Sequence, residues 1–135
     1  MVTTSNIMLI DDDEIFTYII KKIIDETKLA DQINIFGNGR EAITYLEEVA
    51  NNADALPEVI FLDLNMPILD GWGFLEEYIK LKPNLSKKIN LYIITTSVSP
   101  MDFKKSKSYS EVSDFIVKPM AKERFIEIIK ELSVR

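Results

Sequence analysis

Neither cysteine nor histidine occurs anywhere in the 135 residues. The first absence removes disulfides and thiolate metal sites. The second removes imidazole acid–base chemistry and zinc sites built on histidine. Positive charge is in deficit too: 16 Lys and Arg face 22 Asp and Glu, a formal net charge of −6. Nucleic acid is therefore disfavoured as a direct partner, because binding a phosphate backbone needs a basic footprint. No apolar run approaches the roughly 20 residues of a membrane span. The opening "MVTTSN" lacks the basic start and apolar stretch of a signal peptide. These exclusions predict a soluble, cytoplasmic protein without membrane insertion. The length suits one domain, and an apolar fraction of 47% is enough for a core.

Four short apolar runs stand out: "IMLI" (7–10), "VIFL" (59–62), "LYII" (91–94) and "FIV" (115–117). They are continuous rather than alternating, which suits strands covered on both faces of a parallel sheet. A fifth, "QINIF" (32–36), alternates and reads as an edge strand. Helical spacing lies between them. Ile15, Ile19, Ile20, Ile23 and Ile24 are expected on one buried stripe, as are Ala42, Ile43, Leu46 and Val49. Phe74, Leu75, Tyr78, Ile79 and Leu81 make a third stripe, and Phe125, Ile126, Ile128, Ile129 and Leu132 the last. A further helix is expected from Pro100, a good first-turn residue, to about Ser108. Five alternations of strand and helix define an α/β class with a doubly wound parallel sheet. Right-handed crossovers and an edge position for 32–36 give the strand order 2-1-3-4-5, flavodoxin-like. There are no repeats, low-complexity tracts or linkers. The expectation is a single domain over 1–135, with 1–5 as a short tail and no output domain.

What ends each strand is the informative pattern. "IMLI" runs into Asp11 and Asp12, "VIFL" into Asp63, "LYII" into Thr95 and "FIV" into Lys118. Parallel strands end at one edge, so these groups converge where the strand order reverses, the usual ligand crevice of such sheets. Two carboxylates about 4 Å apart repel by roughly 4 kcal/mol at an effective dielectric near 20. Either their pKa values rise or a cation neutralises them. Oxygen ligands without His or Cys favour a hard ion, Mg²⁺ first. Lys118 and Thr95 opposite suit the oxygens of a phosphoryl group. Asp13 and Glu14 read instead as capping of the following helix. An acid at Asp63, among apolar neighbours, is a poor structural choice without a partner.

"MLIDDDEI", "VIFLDLNMPILDGWGF", "YIITTS" and "FIVKPM" together resemble the receiver domain of two-component response regulators, of the stand-alone, CheY-like kind. The likeness runs from about Asn6 to Leu132. It implies Asp63 as the phosphoacceptor, with Asp12 on Mg²⁺ directly and Asp11 binding chiefly through water or orienting its neighbour. The carbonyl of Asn65 becomes a further metal ligand. Lys118 pairs with Asp63 or its phosphoryl group, and Thr95 donates its hydroxyl to a phosphoryl oxygen. Phe115 takes the aromatic switch position without a hydroxyl, and Thr96 stands where a smaller residue is usual. Asn65 and Ser97 border the site and are expected to tune phosphoryl lifetime. A cis bond is expected at Lys118–Pro119. The resemblance implies a sensor histidine kinase or a His-containing phosphotransfer protein as donor. It also implies partner contacts on the surface built from 101–112 and 118–125.

Two alternatives remain at this level. A haloacid-dehalogenase-like Mg²⁺-dependent phosphatase would use Asp11 as nucleophile and Asp13 as acid/base, but leaves "DLNMPILDG" unexplained. A degenerate receiver would bind a partner without phosphorylation. Trp72, following Gly71, is expected near the site as a fluorescent reporter.

Overall fold

A computed structural model describes residues 4–133, with side chains from 6 to 132. The elements run β1 (Thr4–Ile10), α1 (Glu14–Thr27), β2 (Ala30–Phe36), α2 (Gly39–Glu48), β3 (Val59–Leu62) and α3 (Gly71–Leu81). A single 3-10 turn follows, then β4 (Asn90–Thr95), α4 (Pro100–Ser106), β5 (Val112–Val117) and α5 (Lys122–Ser133). All strand pairs are parallel and the order is β2-β1-β3-β4-β5. This is the flavodoxin-like α/β sheet.

The continuous apolar runs divide their side chains between two cores. From β1, Ile7 and Leu9 pack toward α1 and α5, whereas Met8 and Ile10 pack toward α2 and α3. Val59 and Phe61 of β3 follow the first pair, and Ile60 and Leu62 the second. Successive side chains leave a strand on opposite faces, so a strand covered twice needs apolar residues at every position. Each such side chain contributes roughly 1.5–3 kcal/mol by leaving water.

Four expectations need correction. Ile15 and Ile19 are 75% and 48% exposed; the buried face of α1 is Thr17, Ile20, Ile23 and Ile24. At about 100° per residue, Ile15 lies almost opposite Ile20 on the helix. The apolar residues of α1 cover more of its circumference than the sheet can. The last strand begins at Val112, three residues before "FIV", and is covered only in part on its two faces: Phe115 packs against one core and Ile116 against the other, both half-buried, and Val117 is exposed. It lies at the sheet edge with a register shift against Leu91 and Tyr92, and that extra residue breaks any readable periodicity. Finally, Thr4 and Ser5 belong to β1 rather than a tail, and 1–3 lie outside the described residues. The fourth helix ends at Ser106, two residues short of expectation.

Candidate functional site

Backbone hydrogen bonds bind the strand ends together. The Asp11 N–H donates to Phe36 O at 2.9 Å, the Asp63 N–H to Ile10 O at 2.9 Å, and the Lys118 N–H to Thr95 O at 2.7 Å. Five chain segments are thus fixed in register at one edge, and Asp11, Asp12, Asp63 and Lys118 come together there. Asp11, Asp12 and Asp63 each offer a carboxylate oxygen, and these oxygens lie within 4.8 Å of one another. Asp11 and Asp63 are buried, at 3% and 6% exposure, while Asp12 faces solvent.

Crowding shows in the electrostatics. Burial, with the charge of Asp11 adding to it, pushes Asp63 up from 3.8 to about 6, against the pull of Lys118 and the N–H groups of Leu64 and Asn65. The Leu64 N–H donates to Asp63 Oδ1 at 2.8 Å. Burial also raises Asp11, opposed first by its bond to Lys118. All three donors are oxygens and two are out of bulk water, a set that fits a hard divalent cation. Such an ion would offset the cost of burial that raises both acids, together with the repulsion of Asp11 on Asp63.

Lys118 is aimed differently from expectation. Its ammonium lies 2.8 Å from Asp11 Oδ2 and 3.7 Å from Asp13 Oδ2, and 4.4 Å from the centre of the Phe16 ring. Among the described residues no ion pair joins it to Asp63. Asp11 and Asp63 are both buried, and it is Asp11 that takes the cation. Phe16 and Asp13 were missed as partners of Lys118, although their place in the first turn of α1 puts them beside Asp11. The Lys118–Pro119 peptide bond is cis. Asp13 is the N-cap of α1, its Oδ1 accepting from the N–H groups of Ile15 and Phe16, both at 3.1 Å. Thus the acid/base of the phosphatase reading is engaged in capping.

Thr95 is fully buried, and its hydroxyl oxygen accepts the Ser97 N–H at 3.2 Å. Phe115 is half-buried and meets Phe103 of α4 edge-on, centroids 5.6 Å apart. Beside it lies a cavity of about 310 Å³ lined by the Ser97–Pro100 loop, Phe103 and Val117. Asn65 and Thr96 are exposed at the rim. Trp72 stacks on Tyr109, centroids 5.9 Å apart, with the Lys105 ammonium 4.5 Å above it. It therefore reports on α4 and the loop after it rather than on the acids.

The β3–α3 loop carries two features with no sequence warning. Ile68 has φ of 68° and is 82% exposed, and the Leu69 N–H donates back across it to Pro67 O at 2.7 Å. That is a three-residue turn in the strained, positive-φ form. Gly71 lets α3 start against the end of β3: a Cβ there would fall on the Asp63 carbonyl oxygen and 2.8 Å from Leu64 Cα.

An open parallel sheet of order 2-1-3-4-5 with three acids gathered at its reversal point and a lysine across them defines a class, that of doubly wound α/β domains with an acidic crevice at the strand ends. Within that class the chain belongs to the response regulator receiver domain family, which matches residues 7–130. It is 29% identical over 128 residues to the probable methanogenesis regulatory protein FilR2 of Methanothrix harundinacea, across 93% of this chain and 81% of that one. A protein-glutamate methylesterase/protein-glutamine glutaminase of Treponema denticola is 34% identical over 122 residues, but the match takes in 29% of its length against 87% of this chain. The crystal structure of a two-component response regulator from Cytophaga hutchinsonii superposes with a TM-score of 0.84 at 24% identity, covering 98% and 99% of the two chains, a likeness of fold. The Mn²⁺-bound form of the response regulator Rcp1 superposes with a TM-score of 0.72 at 25% identity, over 95% of this chain and 91% of that one. Receiver domains act in two-component signalling with histidine kinases, and typically catalyse nothing beyond their own phosphotransfer.

Proposed function

We propose that Asp63 accepts a phosphoryl group from a phosphohistidine on a sensor kinase or phosphotransfer protein, with Mg²⁺ as cofactor, and that the resulting charge switches a contact surface. The observation that carries this reading is the convergence of Asp11, Asp12 and Asp63 within 4.8 Å, beside a lysine held in the same crevice. The Mn²⁺-bound form of the related Rcp1 supports a divalent ion here. The carboxylates of Asp11, Asp12 and Asp63 and the Asn65 carbonyl would hold the ion, which supplies positive charge against the phosphoryl oxygens.

The residues of this chain do the rest by position. The Leu64 and Asn65 N–H groups hold the Asp63 carboxylate in place. Phosphoryl transfer asks mainly for alignment and charge neutralisation. The phosphorus–nitrogen bond of the donor breaks as a phosphorus–oxygen bond to Asp63 forms, and the electron pair leaves on the imidazole. That imidazole belongs to the donor, since this chain has none. The new group adds about −1.5 to −2 charge. Lys118 then turns from Asp11 toward a phosphoryl oxygen, and Thr95 donates its hydroxyl to another. Phe115 follows by packing alone, with the cavity next to it giving room, and repacks the face made by α4, β5 and α5. Asn65 and Ser97 set how fast water removes the group. The output is a protein contact or onward relay, and the setting is cytoplasmic. Among the described residues no helix is long and apolar enough to cross a membrane.

Labelling with acetyl phosphate and Mg²⁺ tests the reading. Asp63→Asn is expected to abolish hydroxylamine-sensitive labelling, and EDTA to do so in the wild type. Labelling that survives Asp63→Asn and disappears in Asp11→Asn would hand the chemistry to the phosphatase alternative.

A further inference from the structure

Beyond the acid cup, four polar groups at the start of α4 are tied into one unit. The Thr95 hydroxyl oxygen accepts the Ser97 N–H at 3.2 Å. The Ser97 hydroxyl oxygen accepts the Ser99 N–H at 3.3 Å, and its proton goes to Asp102 Oδ2 at 2.6 Å. Ser99, the N-cap of α4, accepts the Asp102 N–H at 3.4 Å. Ser97, Ser99 and Asp102 thus close a ring that hangs on the Thr95 hydroxyl. Three of these bonds are long. The fourth, to Asp102, has the short distance of a charge-assisted O–H···O⁻ bond, so the strength of the ring is concentrated in it. Asp102 is half-buried and makes no ion pair among the described residues.

The direction of that bond is informative. In a reciprocal capping arrangement the side chain three residues into a helix returns to the N–H of its N-cap. Here the Ser99 N–H goes to Ser97 instead, and the Asp102 carboxylate reaches past the cap to the loop. Its grip is on Ser97, two residues from the buried threonine.

We infer that Asp102 is a positioning residue of the switch, holding Ser97, and through it Thr95, in the resting arrangement and so setting how readily the site takes up a phosphoryl group. The inference rests on the reading of Asp63 as phosphoacceptor. Turning the Thr95 hydroxyl toward Asp63 either breaks its 3.2 Å bond from the Ser97 N–H or draws Ser97 away from Asp102, and the 2.6 Å bond to Asp102 opposes both. A bond present only in the resting state lowers apparent affinity for anything that selects the active one.

The test uses the full chain with Mg²⁺ and beryllofluoride, followed by Trp72 fluorescence and by thermal unfolding. Asp102→Ala is expected to bind beryllofluoride about 10- to 150-fold more tightly than wild type, the range for losing one hydrogen bond to a charged group from the resting state. Asp102→Asn, which keeps a neutral acceptor and the helix, falls between. Ser97→Ala added to Asp102→Ala gives no further gain, because both remove the same bond. The resting Asp102→Ala protein melts below wild type, and the deficit closes at saturating beryllofluoride. A residue that merely caps α4 would lower melting equally in both states and leave affinity unchanged; that result overturns the inference and leaves Asp63 untouched. A wild-type chain that shows no response to beryllofluoride by either readout overturns both.

Discussion

Asp63→Asn is expected to stabilise the metal-free protein, and by an amount that depends on pH. The carboxyl stands at about 6 when folded against 3.8 for an ordinary aspartate. Between those values the folded chain holds a proton that the unfolded chain has released, so each rise in pH weakens the fold. Below 3.8 the loss is absent, and above about 6 it is complete. Two units at 1.36 kcal/mol each make a deficit of about 3 kcal/mol near pH 7.5, and about 1 kcal/mol near pH 4.5. Asparagine keeps an oxygen for the Leu64 N–H, so little is lost in exchange. For a domain of this size about 3 kcal/mol is a rise of about 10 °C in melting temperature. The measurement is calorimetric melting of both proteins in EDTA at the two pH values. Mg²⁺ should raise the wild type most and shrink the gap. A variant that melts lower than wild type near pH 7.5, or whose advantage does not grow with pH, would refute the electrostatic account of the cup.

Lys118→Met leaves the buried Asp11 carboxylate without its cation and should cost about 3 kcal/mol in urea unfolding near pH 7.5; adding Asp11→Asn should return most of it. Ile68→Asn replaces a β-branched residue held at φ of 68° with one that tolerates positive φ better and should add up to about 1 kcal/mol by the same assay. Gly71→Ala drives a methyl group into the backbone that ends β3, so it should lower stability by at least about 2 kcal/mol and weaken Mg²⁺ binding by displacing Asp63.

How far the sequence could be read followed from which elements are enclosed. The strands β1, β3 and β4 carry unbroken apolar runs, 7–10, 59–62 and 91–94, because two cores claim alternate side chains, and the ends of those runs announced the acids and Thr95. The exposed strand β5 carries Ser113 and Asp114 in its first half and a register shift, so only its last three residues were legible. In α1 the apolar content exceeds what one face can bury, and Ile15 and Ile19 were assigned inward where they face solvent. Within the site, the identity of the converging residues followed from strand ends, but the partner of Lys118 did not. Asp11 and Asp63 end neighbouring strands and are both buried, and no spacing encodes which of the two the ammonium meets. The bond from Asp102 to Ser97 joins residues five apart across a loop and a helix start; it depends on loop geometry for which the letters give no rule.

The account stands on one carboxylate receiving the phosphoryl group. After incubation with acetyl phosphate and Mg²⁺, borohydride reduction converts an aspartyl phosphate to homoserine, and peptide mass spectrometry locates it. The conversion is expected at position 63 alone. Conversion at Asp11 or Asp12 instead, or none under conditions where Mg²⁺ binds, would contradict it.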